Sequence, residues 1–409
     1  MHTINKTDTT PRHIVIRYSE IALKGKNRIW FEDMLIRNIR RHLSALEKCK
    51  VTKIYGRILI ETPGAVESIA DILQYVPGIA NFSFVESASH NIEEISAKAA
   101  ALIDSRIKRH PGGKIGFKVE SKRSEKRFPM NSLELSARIG GELIRRFPQL
   151  KVDLHNPEIR LGIEIWQKNA SILYLEKQPG QGGLPVGTAG NVLSLLSGGI
   201  DSPVSSWFMM KRGCSVTFVH FDSAPFTSEQ SRQKTIDLVI HLSRFQPRSE
   251  LLIVPFADIQ KAIREKCEES FRTILYRRFM YRVANAVRKR YRTLAYVTGE
   301  ALGQVASQTM ENIACTEDAA EIPVLRPLIG LEKAEIVEWS KRIGTFPISI
   351  RPFPDCCTVF QPRKPEIHGE VERIRQEESK IDGEKLLASC LSKLESMSFE
   401  TRVLNRYWD

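Results

Sequence analysis

Four short apolar runs in the second half of the sequence constrain its fold more than any other feature. They cover residues 192–196, 215–221, 251–256 and 293–297. A stretch long enough for a helix separates each run from the next, and parallel strands need such crossover connections. We therefore predict a doubly wound α/β domain with a parallel sheet over residues 191–409, in which the charged segment from about residue 362 forms a C-terminal helical extension.

The first half of the sequence has the mixed periodicity of small α+β units. For residues 1–65 we predict a strand over 13–18, a helix over 30–46 and one or two strands over 51–61. For residues 66–176 we predict strands over 114–120, 151–154 and 159–166, and helices over 66–73, over 92–109 and from an N-cap at Ser132 to near Phe147. Residues 177–190 hold five glycines and two prolines, which predicts a linker.

The net charge of +13 on 409 residues favours a polyanionic partner, either a nucleic acid or an anionic membrane surface. A nucleic acid is favoured because no apolar run reaches transmembrane length. The first 13 residues lack the apolar core of a secretory signal, so we expect a cytoplasmic protein with no membrane partner. The seven cysteines predict no disulfide framework there, and a cysteine with a special role would be catalytic or redox-active.

The first apolar run leads into a segment that can bind phosphate. Residues 192–203 read as a buried strand, a glycine turn and a helix start, with Ser202 as the predicted cap. Gly198 and Gly199 let backbone N–H groups approach an anion, and the helix dipole adds to the attraction. The hydroxyls of Ser197 and Ser202 can donate hydrogen bonds. A carboxylate repels phosphate, so Asp201 makes sense if a bound Mg²⁺ bridges it to the phosphates.

The alternative for this loop is an ordinary strand-to-helix turn with a capping serine. The S-G-G-x-D-S spacing, the apolar strand before it and its first position in the α/β unit favour a phosphate site. The loop lacks the lysine of the G-x-x-x-x-G-K-[ST] pattern, which disfavours ordinary γ-phosphoryl transfer.

The loop resembles the signature of the PP-loop ATP pyrophosphatases, which cleave ATP between the α- and β-phosphates and adenylate a substrate. The chain as a whole resembles one family, the ThiI tRNA 4-thiouridine synthetases. The resemblance lies in six stretches that follow the family's order, namely Arg17–Arg28 (RYSEIALKGKNR), Phe117–Pro129 (FKVESKRSEKRFP), Leu193–Val204 (LSLLSGGIDSPV), Val297–Thr309 (VTGEALGQVASQT), Leu325–Ile336 (LRPLIGLEKAEI) and Pro354–Phe360 (PDCCTVF).

The resemblance implies a ferredoxin-like domain over residues 1–65, an RNA-binding THUMP domain over 66–176 and a PP-loop domain after the linker. It implies that ATP and Mg²⁺ are used to convert uridine 8 of tRNA to 4-thiouridine. Some members also relay sulfur to the thiazole of thiamine. Whether this chain does so through a sulfur-carrier protein, and whether it forms a homodimer, stays open.

The resemblance also implies a set of ATP-binding residues. Topology alone already places His220, Phe221 and Gly299 at strand ends near a ligand. Gln308 would read an adenine edge and Arg277 would face a phosphate. Lys333 would assist catalysis at the phosphates beside Asp201. The alternative for Lys333 is an exposed helix lysine, and the alternative for His220 is an ordinary histidine at a strand end. The implied set is Leu195, Leu196, Ser197, Gly198, Gly199, Ser202, His220, Phe221, Arg277, Gly299 and Gln308.

The adjacent Cys356 and Cys357 are the candidates for sulfur chemistry, because the chain has no second cysteine pair or histidine cluster to complete a zinc site. The alternative is two small buried residues in a loop. Cys357 aligns with the family's persulfide cysteine, and Cys356 is a candidate resolving thiol. The sequence ends at Asp409 and resembles the form without a C-terminal rhodanese domain, so we expect a separate cysteine desulfurase to load Cys357.

A cluster of nine lysines and arginines over residues 106–128 predicts phosphate contact, although such runs are often only a solvated face. The residues predicted to contact tRNA are Lys114, Lys118, Lys122, Arg123, Lys126 and Arg127. A second basic segment over 272–292 has no acidic residue and is expected to carry part of the tRNA toward the nucleotide.

Two other functions fit the same loop. A small-molecule adenylating ligase, or an amidotransferase partner, would not need the basic N-terminal half. An RNA-binding scaffold with a vestigial nucleotide loop would not release pyrophosphate.

Overall fold

The computed structural model describes residues 12–46, 49–54, 56–63, 66–110, 112–354, 356 and 359–401. The chain divides into two compact units after Gly182, and each has its own hydrophobic core. Within the described residues, no helix combines the length and the apolar content that crossing a bilayer requires.

The first unit is an α+β structure. Its strands are β1 (Arg12–Arg17), β2 (Lys50–Ile54), β3 (Arg57–Thr62), β4 (Asn81–Ala88), β5 (Ile115–Arg123), β6 (Leu150–Val152), β7 (Ile159–Trp166), β8 (Ala170–Tyr174) and β9 (Gln178–Pro179). Its α-helices are α1 (Arg28–His42), α2 (Val66–Leu73), α3 (Ile92–Ile107) and α4 (Ser132–Arg146). Short 3₁₀ turns at Glu20–Leu23 and Gly25–Asn27 lead into α1.

The strands of the first unit form one sheet in the order β2-β3-β1-β4-β8-β7-β5-β6, with β9 added to β4. One core lies around β1 and α1, and another lies between β5, β7, α3 and α4. The sequence analysis predicted most of these elements but missed β4, β8 and the two-residue β9. It also placed the N-cap of α4 one residue late, since Asn131 caps this helix in a capping box with Glu134.

Residues 177–190, the predicted linker, form hydrogen bonds on each side of the division between the units. In the first unit, Gly182 donates to the carbonyl of Ile79 over 2.7 Å, and β9 pairs with β4. In the second unit, Leu184 donates to the carbonyl of Lys211 over 3.0 Å. Gly183 has a φ of +71°, and an added Cβ would lie 2.0 Å from the Lys211 carbonyl oxygen. The glycines of this segment therefore allow close packing as well as flexibility.

The second unit has the predicted alternation of strands and helices. Its strands are β10 (Asn191–Leu195), β11 (Ser215–Asp222), β12 (Arg248–Pro255), β13 (Thr293–Val297), β14 (Val324–Leu325) and β15 (Glu395–Glu400). Its helices are α5 (Asp201–Lys211), α6 (Glu229–Leu242), α7 (Ala257–Lys266), α8 (Arg272–Arg288), α9 (Met310–Glu317), α10 (Lys333–Ile343), α11 (Phe346–Ser349), α12 (Val371–Glu378) and α13 (Gly383–Ser392). Short 3₁₀ turns lie at Glu269–Phe271 and Ala306–Gln308.

The sheet of the second unit runs in the order β14-β13-β10-β11-β12-β15. The first five strands are parallel, which confirms the predicted doubly wound α/β fold. The C-terminal extension contains the expected helices, α12 and α13. It then returns to the sheet as β15, an antiparallel edge strand beside β12 that the sequence analysis did not predict.

Several arginines of the basic segment over residues 272–292 lie on α8 and have acidic partners. Arg278 is 2% exposed and binds Glu378 and Asp318 over 2.8 and 2.9 Å. Arg282 also pairs with Glu378, and other α8 arginines pair with acidic residues outside the segment. These side chains are therefore held by acidic residues that lie far away in sequence, and the prediction that the segment carries part of the tRNA stays a prediction.

We expect the substitution Arg278→Met to lower the free energy of unfolding by about 3 kcal/mol, since it leaves two carboxylates short of a buried partner. The loss should lie at the lower end of the range for buried pairs, because Arg282 and Arg375 remain beside those carboxylates. Urea unfolding measures it. The control Arg288→Met breaks a more exposed pair with Glu321 and should cost less than about 1 kcal/mol. Equal losses would contradict a special role for Arg278.

Candidate active site

A cavity of about 390 Å³ lies at the carboxyl ends of β10 and β13. β10 pairs with β11 on one side and with β13 on the other, so the chain winds away from β10 in both directions. Ligands of doubly wound sheets bind at this point, where the connections diverge. The lining residues are Leu195, Leu196, Ser197, Asp201, Ser202, Phe221, Arg277, Met280, Tyr281, Thr298, Gly299, Glu300, Gln304, Val305, Gln308 and Cys356.

The loop between β10 and α5 is closed by two serines. The hydroxyl oxygen of Ser202 accepts from the backbone N–H of Ser197 over 2.9 Å and lies 3.1 Å from the Ser197 hydroxyl. Ser202 therefore does not act as the predicted helix cap. Helix α5 begins at Asp201, and Ile200 occupies the N-cap without a side-chain bond. The serine pair fixes a tight loop directly before the positive end of the helix dipole.

Gly299 packs against the backbone of this loop. A Cβ at this position would lie 2.6 Å from the backbone nitrogen of Ser202 and 2.7 Å from the carbonyl carbon of Asp201. The end of β13 can therefore approach the start of α5 only if residue 299 has no side chain. This approach joins the two sides of the cavity.

Asp201 lies at the first position of α5, where its carboxylate has two partners. The amide nitrogen of Gln304 donates to Oδ2 over 2.9 Å, and the ammonium group of Lys333 forms an ion pair with Oδ1. Lys333 is the first residue of α10, as the sequence predicted. The structure thus brings together Asp201 and Lys333, the two residues assigned to the phosphates.

The floor of the cavity holds a second carboxylate, that of Glu300, which is 3% exposed. Burial alone would raise its pKa, but the charges of Arg277 and Arg326 hold the pKa below its usual value. Arg326 donates from Nε over 2.6 Å, and Thr298 donates over 2.9 Å. Arg277 binds the same carboxylate while it lines the cavity. Glu300 therefore orients Arg277.

Eight of the eleven residues that the resemblance assigned to ATP line this cavity, and three do not. His220 is buried, and its Nδ1 donates to the carbonyl of Leu196 over 3.1 Å, so it supports the loop from behind. Gly198 and Gly199 form the turn itself. Gln308 is 5% exposed, and its side-chain oxygen accepts from Ala301 over 3.4 Å. The amide nitrogen of Gln308 has no partner within the described residues.

Sequence reasoning missed Tyr281, Glu300 and Gln304. Tyr281 follows Arg277 by one helical turn, so the two side chains share a face of α8. Glu300 directly follows Gly299, and the strand-end rule that found the glycine applies to it equally well. The Tyr281 hydroxyl and the side-chain oxygen of Gln304 are buried and have no hydrogen-bond partner among the described residues. Such groups at a cavity wall are positioned for a ligand.

Six of the seven cysteines separate into two groups. Cys356 is 5% exposed and lines the cavity, whereas Cys357 lies outside the described residues. Burial raises the pKa of Cys267 and of Cys390 to about 11, and raises the pKa of Cys214 and of Cys315 as well. These four thiols are therefore protonated at neutral pH, in line with a structural role.

The basic cluster of the first unit also divides into two groups. Lys114 donates to the carbonyl of Pro148, Lys118 pairs with Glu120, and Arg123 donates to two loop carbonyls over 3.2 Å. The other three candidates, Lys122, Lys126 and Arg127, are exposed, and their side chains have no partner within the described residues. These three form the free basic surface, which lies at the end of β5 and in the loop that follows.

No three His, Cys, Asp or Glu side chains of the described residues cluster as a metal site.

Family models match the chain in three consecutive segments. The ThiI ferredoxin-like domain matches residues 13–83, the THUMP domain matches 89–175, and the model described as thiamine biosynthesis protein (ThiI) matches 187–382. The fold and the cavity thus define a class of enzyme. In this class a THUMP domain precedes a doubly wound domain, which carries a phosphate-binding loop at its switch point.

Relatives of known name identify the family. A probable tRNA sulfurtransferase of Thermoanaerobacter sp. (strain X514) is 43% identical over 374 residues, which cover 91% of this chain and 96% of the relative. One of Moorella thermoacetica is 42% identical over 387 residues, 95% of this chain and 97% of the relative. The crystal structure of a 4-thiouridine synthetase–RNA complex with bound ATP superposes with a TM-score of 0.87 at 35% identity, covering 95% of this chain and 100% of that chain. The chain belongs to the ThiI family of tRNA sulfurtransferases.

The contact at Gly299 leads to a prediction. Gly299→Ala should lower the free energy of unfolding of the second unit by about 1–3 kcal/mol, since the methyl group displaces backbone atoms at the start of α5. Urea unfolding measures the loss. Gly330→Ala is the matched control, because a Cβ there meets nothing within 4 Å. A loss no greater than that of the control would contradict the close packing of β13 against α5.

Proposed function

We propose that this protein is an ATP-dependent tRNA sulfurtransferase that converts uridine 8 of tRNA to 4-thiouridine. The observation that carries the proposal is the cavity at β10 and β13, where the phosphate loop, the Asp201–Lys333 pair and Cys356 meet. The relatives named tRNA sulfurtransferase, which match more than nine-tenths of the chain, support it. The alternative of a small-molecule ligase is weaker, because such an enzyme would not need the basic first unit.

ATP would bind with its phosphates at the loop Ser197–Ser202 and its adenine deeper in the cavity. Backbone N–H groups of the loop and the start of α5 favour the anion. Phe221 and Met280 offer apolar faces to a purine ring, and the free amide nitrogen of Gln308 can donate to a ring nitrogen. The unpartnered Tyr281 hydroxyl supplies one further polar group for the nucleoside.

Asp201 is the carboxylate that would hold Mg²⁺. Magnesium in nucleotide sites is usually bound by one or two carboxylates, substrate phosphates and water, so a single carboxylate at the loop fits. When bound, the ion would neutralise charge that develops on the leaving pyrophosphate. Lys333 would then turn from Asp201 toward the phosphates, a move that its half-exposed side chain permits.

The chemistry we propose has two steps. Uridine O4 bonds to the α-phosphorus of ATP, and pyrophosphate leaves. The outer sulfur of a Cys357 persulfide then bonds to C4, and AMP departs with O4. A second thiol breaks the sulfur–sulfur bond to release 4-thiouridine, and Cys356, which lines the same cavity, is the candidate. The resulting disulfide needs an external thiol reductant before the next turnover.

Two partners complete the proposal. The free basic surface of the first unit, Lys122, Lys126 and Arg127, would bind tRNA phosphates and not bases, as suits a folded RNA. A cytoplasmic cysteine desulfurase would supply sulfur to Cys357. The direct test is mass analysis of tRNA nucleosides after incubation with the protein, ATP, Mg²⁺, a desulfurase and cysteine. A complete mixture that yields no 4-thiouridine would overturn the proposal.

The role of Cys357 leads to the next prediction. Cys357→Ser should abolish 4-thiouridine formation, because a hydroxyl cannot carry the transferable sulfur, while ATP affinity and tRNA-stimulated pyrophosphate release persist. Nucleoside mass analysis and a pyrophosphate assay measure the two activities separately. The control Cys49→Ser changes a half-buried thiol of the first unit and should keep both. Thiolation by the Cys357 variant would remove this residue from the mechanism.

The free basic surface gives a prediction for RNA binding. Changing Lys122, Lys126 and Arg127 to alanine should weaken tRNA binding and reduce the slope of log K against log salt concentration by about 2–3, since each side chain displaces counterions from a phosphate. Filter binding over a range of salt concentrations measures this slope.

A second triple variant of the first unit serves as the control, with the same loss of charge. It changes to alanine Lys98, Arg106 and Lys108, which pair with Glu94, Glu176 and Asp104 over 3.2, 2.8 and 2.6 Å. Its salt slope should stay close to that of the wild type. If the two variants lose the same slope, net charge and not the location of the free side chains governs binding.

A further inference from the structure

A second chamber of about 300 Å³ adjoins the nucleotide cavity in the second unit. Arg277 and Val305 line both spaces and therefore form the boundary between them. Helix α8 passes along both, with Thr273 in the second chamber one turn before Arg277 and Tyr281 in the first one turn after it. The volume is at the small end of ligand pockets, which suits a flat ring better than a second nucleotide.

The walls of the second chamber offer neutral hydrogen-bonding groups and apolar faces. The hydroxyls of Thr273 and Ser307 have no partner among the described residues, although Ser307 is only 6% exposed. Both residues line the chamber, so their hydroxyls can form hydrogen bonds with a ligand held there. Ile274 and Pro365 supply apolar surface.

The one carboxylate of the chamber is already engaged. Oε1 of Glu366 accepts from the backbone N–H groups of Ile367 and His368, each over 2.9 Å. The chamber therefore presents hydroxyls, apolar rings and one edge of Arg277. A neutral, planar heterocycle with several polar edge atoms matches this lining, and a phosphate does not.

We propose that this chamber receives the target uracil, turned out of the tRNA, with its O4 edge toward Arg277 and the nucleotide cavity. This inference rests on the proposed function and names the subsite for its acceptor base. Enzymes that act on a base in folded nucleic acid take it out of the stack into a pocket. The guanidinium of Arg277 has donors and no acceptor, so it suits the O4 of uracil and disfavours the amino group of cytosine.

The path of the chain supports this placement. Cys356 lines the nucleotide cavity, and ten residues later the same segment lines the second chamber at Glu366. A base at the boundary would thus have the phosphate loop on one side and the cysteine-bearing segment beside it.

The test is the substitution Thr273→Phe, which fills the chamber from α8. Adenylation needs the uridine but no sulfur, so tRNA-stimulated pyrophosphate release isolates the base-binding step. We expect this release to fall by about 100-fold, because the ring can no longer reach a reactive position. Affinities for ATP and for tRNA should change less than about 3-fold, since phosphate contacts elsewhere dominate RNA binding. The control Ala286→Phe adds the same ring at an exposed position of α8 and should have no effect.

A second variant guards against misfolding. The double change Thr273→Val and Ser307→Ala removes both hydroxyls with little change in volume and should lower the release rate by about 10-fold at unchanged ATP affinity. Normal pyrophosphate release by both variants would overturn the subsite, and so would a defect confined to sulfur loading. Wild-type protein that shows no tRNA-stimulated release would instead overturn the proposed function, whatever the variants do.

Discussion

The contact between Gly299 and the start of α5 is the constraint on which the site depends. β10 and β13 are neighbours in the sheet, but the connection after β10 leads to β11 on one side and the connection after β13 leads to β14 on the other side. A crevice must open between the two strand ends, and its width depends on how closely the chain after β13 approaches the loop after β10. A Cβ atom at residue 299 would lie 2.6 Å from the Ser202 nitrogen, so no residue other than glycine allows this approach. The phosphate loop, Asp201 and Glu300 take their places from it.

Two carboxylates in this crevice have opposite environments and therefore different roles. Glu300 is buried, and Arg277 and Arg326 hold it ionised, so its charge is neutralised by fixed partners and it serves to aim Arg277. Asp201 is more exposed, with a lysine partner from α10 whose side chain is about half exposed. An exposed ion pair is weak and can be exchanged for a ligand at little cost, whereas a buried pair cannot. The exchangeable carboxylate is the one beside the phosphate loop.

The sequence predicted the fold of the second unit well because buried parallel strands leave mostly apolar runs, as in β10, β11, β12 and β13. β15 escaped prediction because four of the six residues in Glu395–Glu400 are polar, and at a sheet edge one strand partner and solvent suffice. The role of Ser202 was misjudged for a similar reason. The Ser202 hydroxyl could either cap helix α5 or close the loop before it. The position of the Ser197 backbone N–H, which the sequence does not show, decides between the two roles.

The site residues were predictable where topology or a family motif marks them, as at Phe221 and Gly299. Neither topology nor a motif identifies Tyr281. It lies on a helix whose residues are mostly buried, and only the surroundings of its hydroxyl in the folded structure distinguish it from a core tyrosine. Charge clusters show the same limit more clearly. Arg278 and Lys126 both belong to basic runs, yet Arg278 has acidic partners that come from α12 and from the end of α9, while Lys126 has none among the described residues. Sequence counts the charges, but pairing across the fold determines which of them remain free for a polyanion. Among the described residues, Lys122, Lys126 and Arg127 on β5 and its following loop have no acidic partner, whereas Arg278 and Arg282 on α8 are tied to Glu378 of α12.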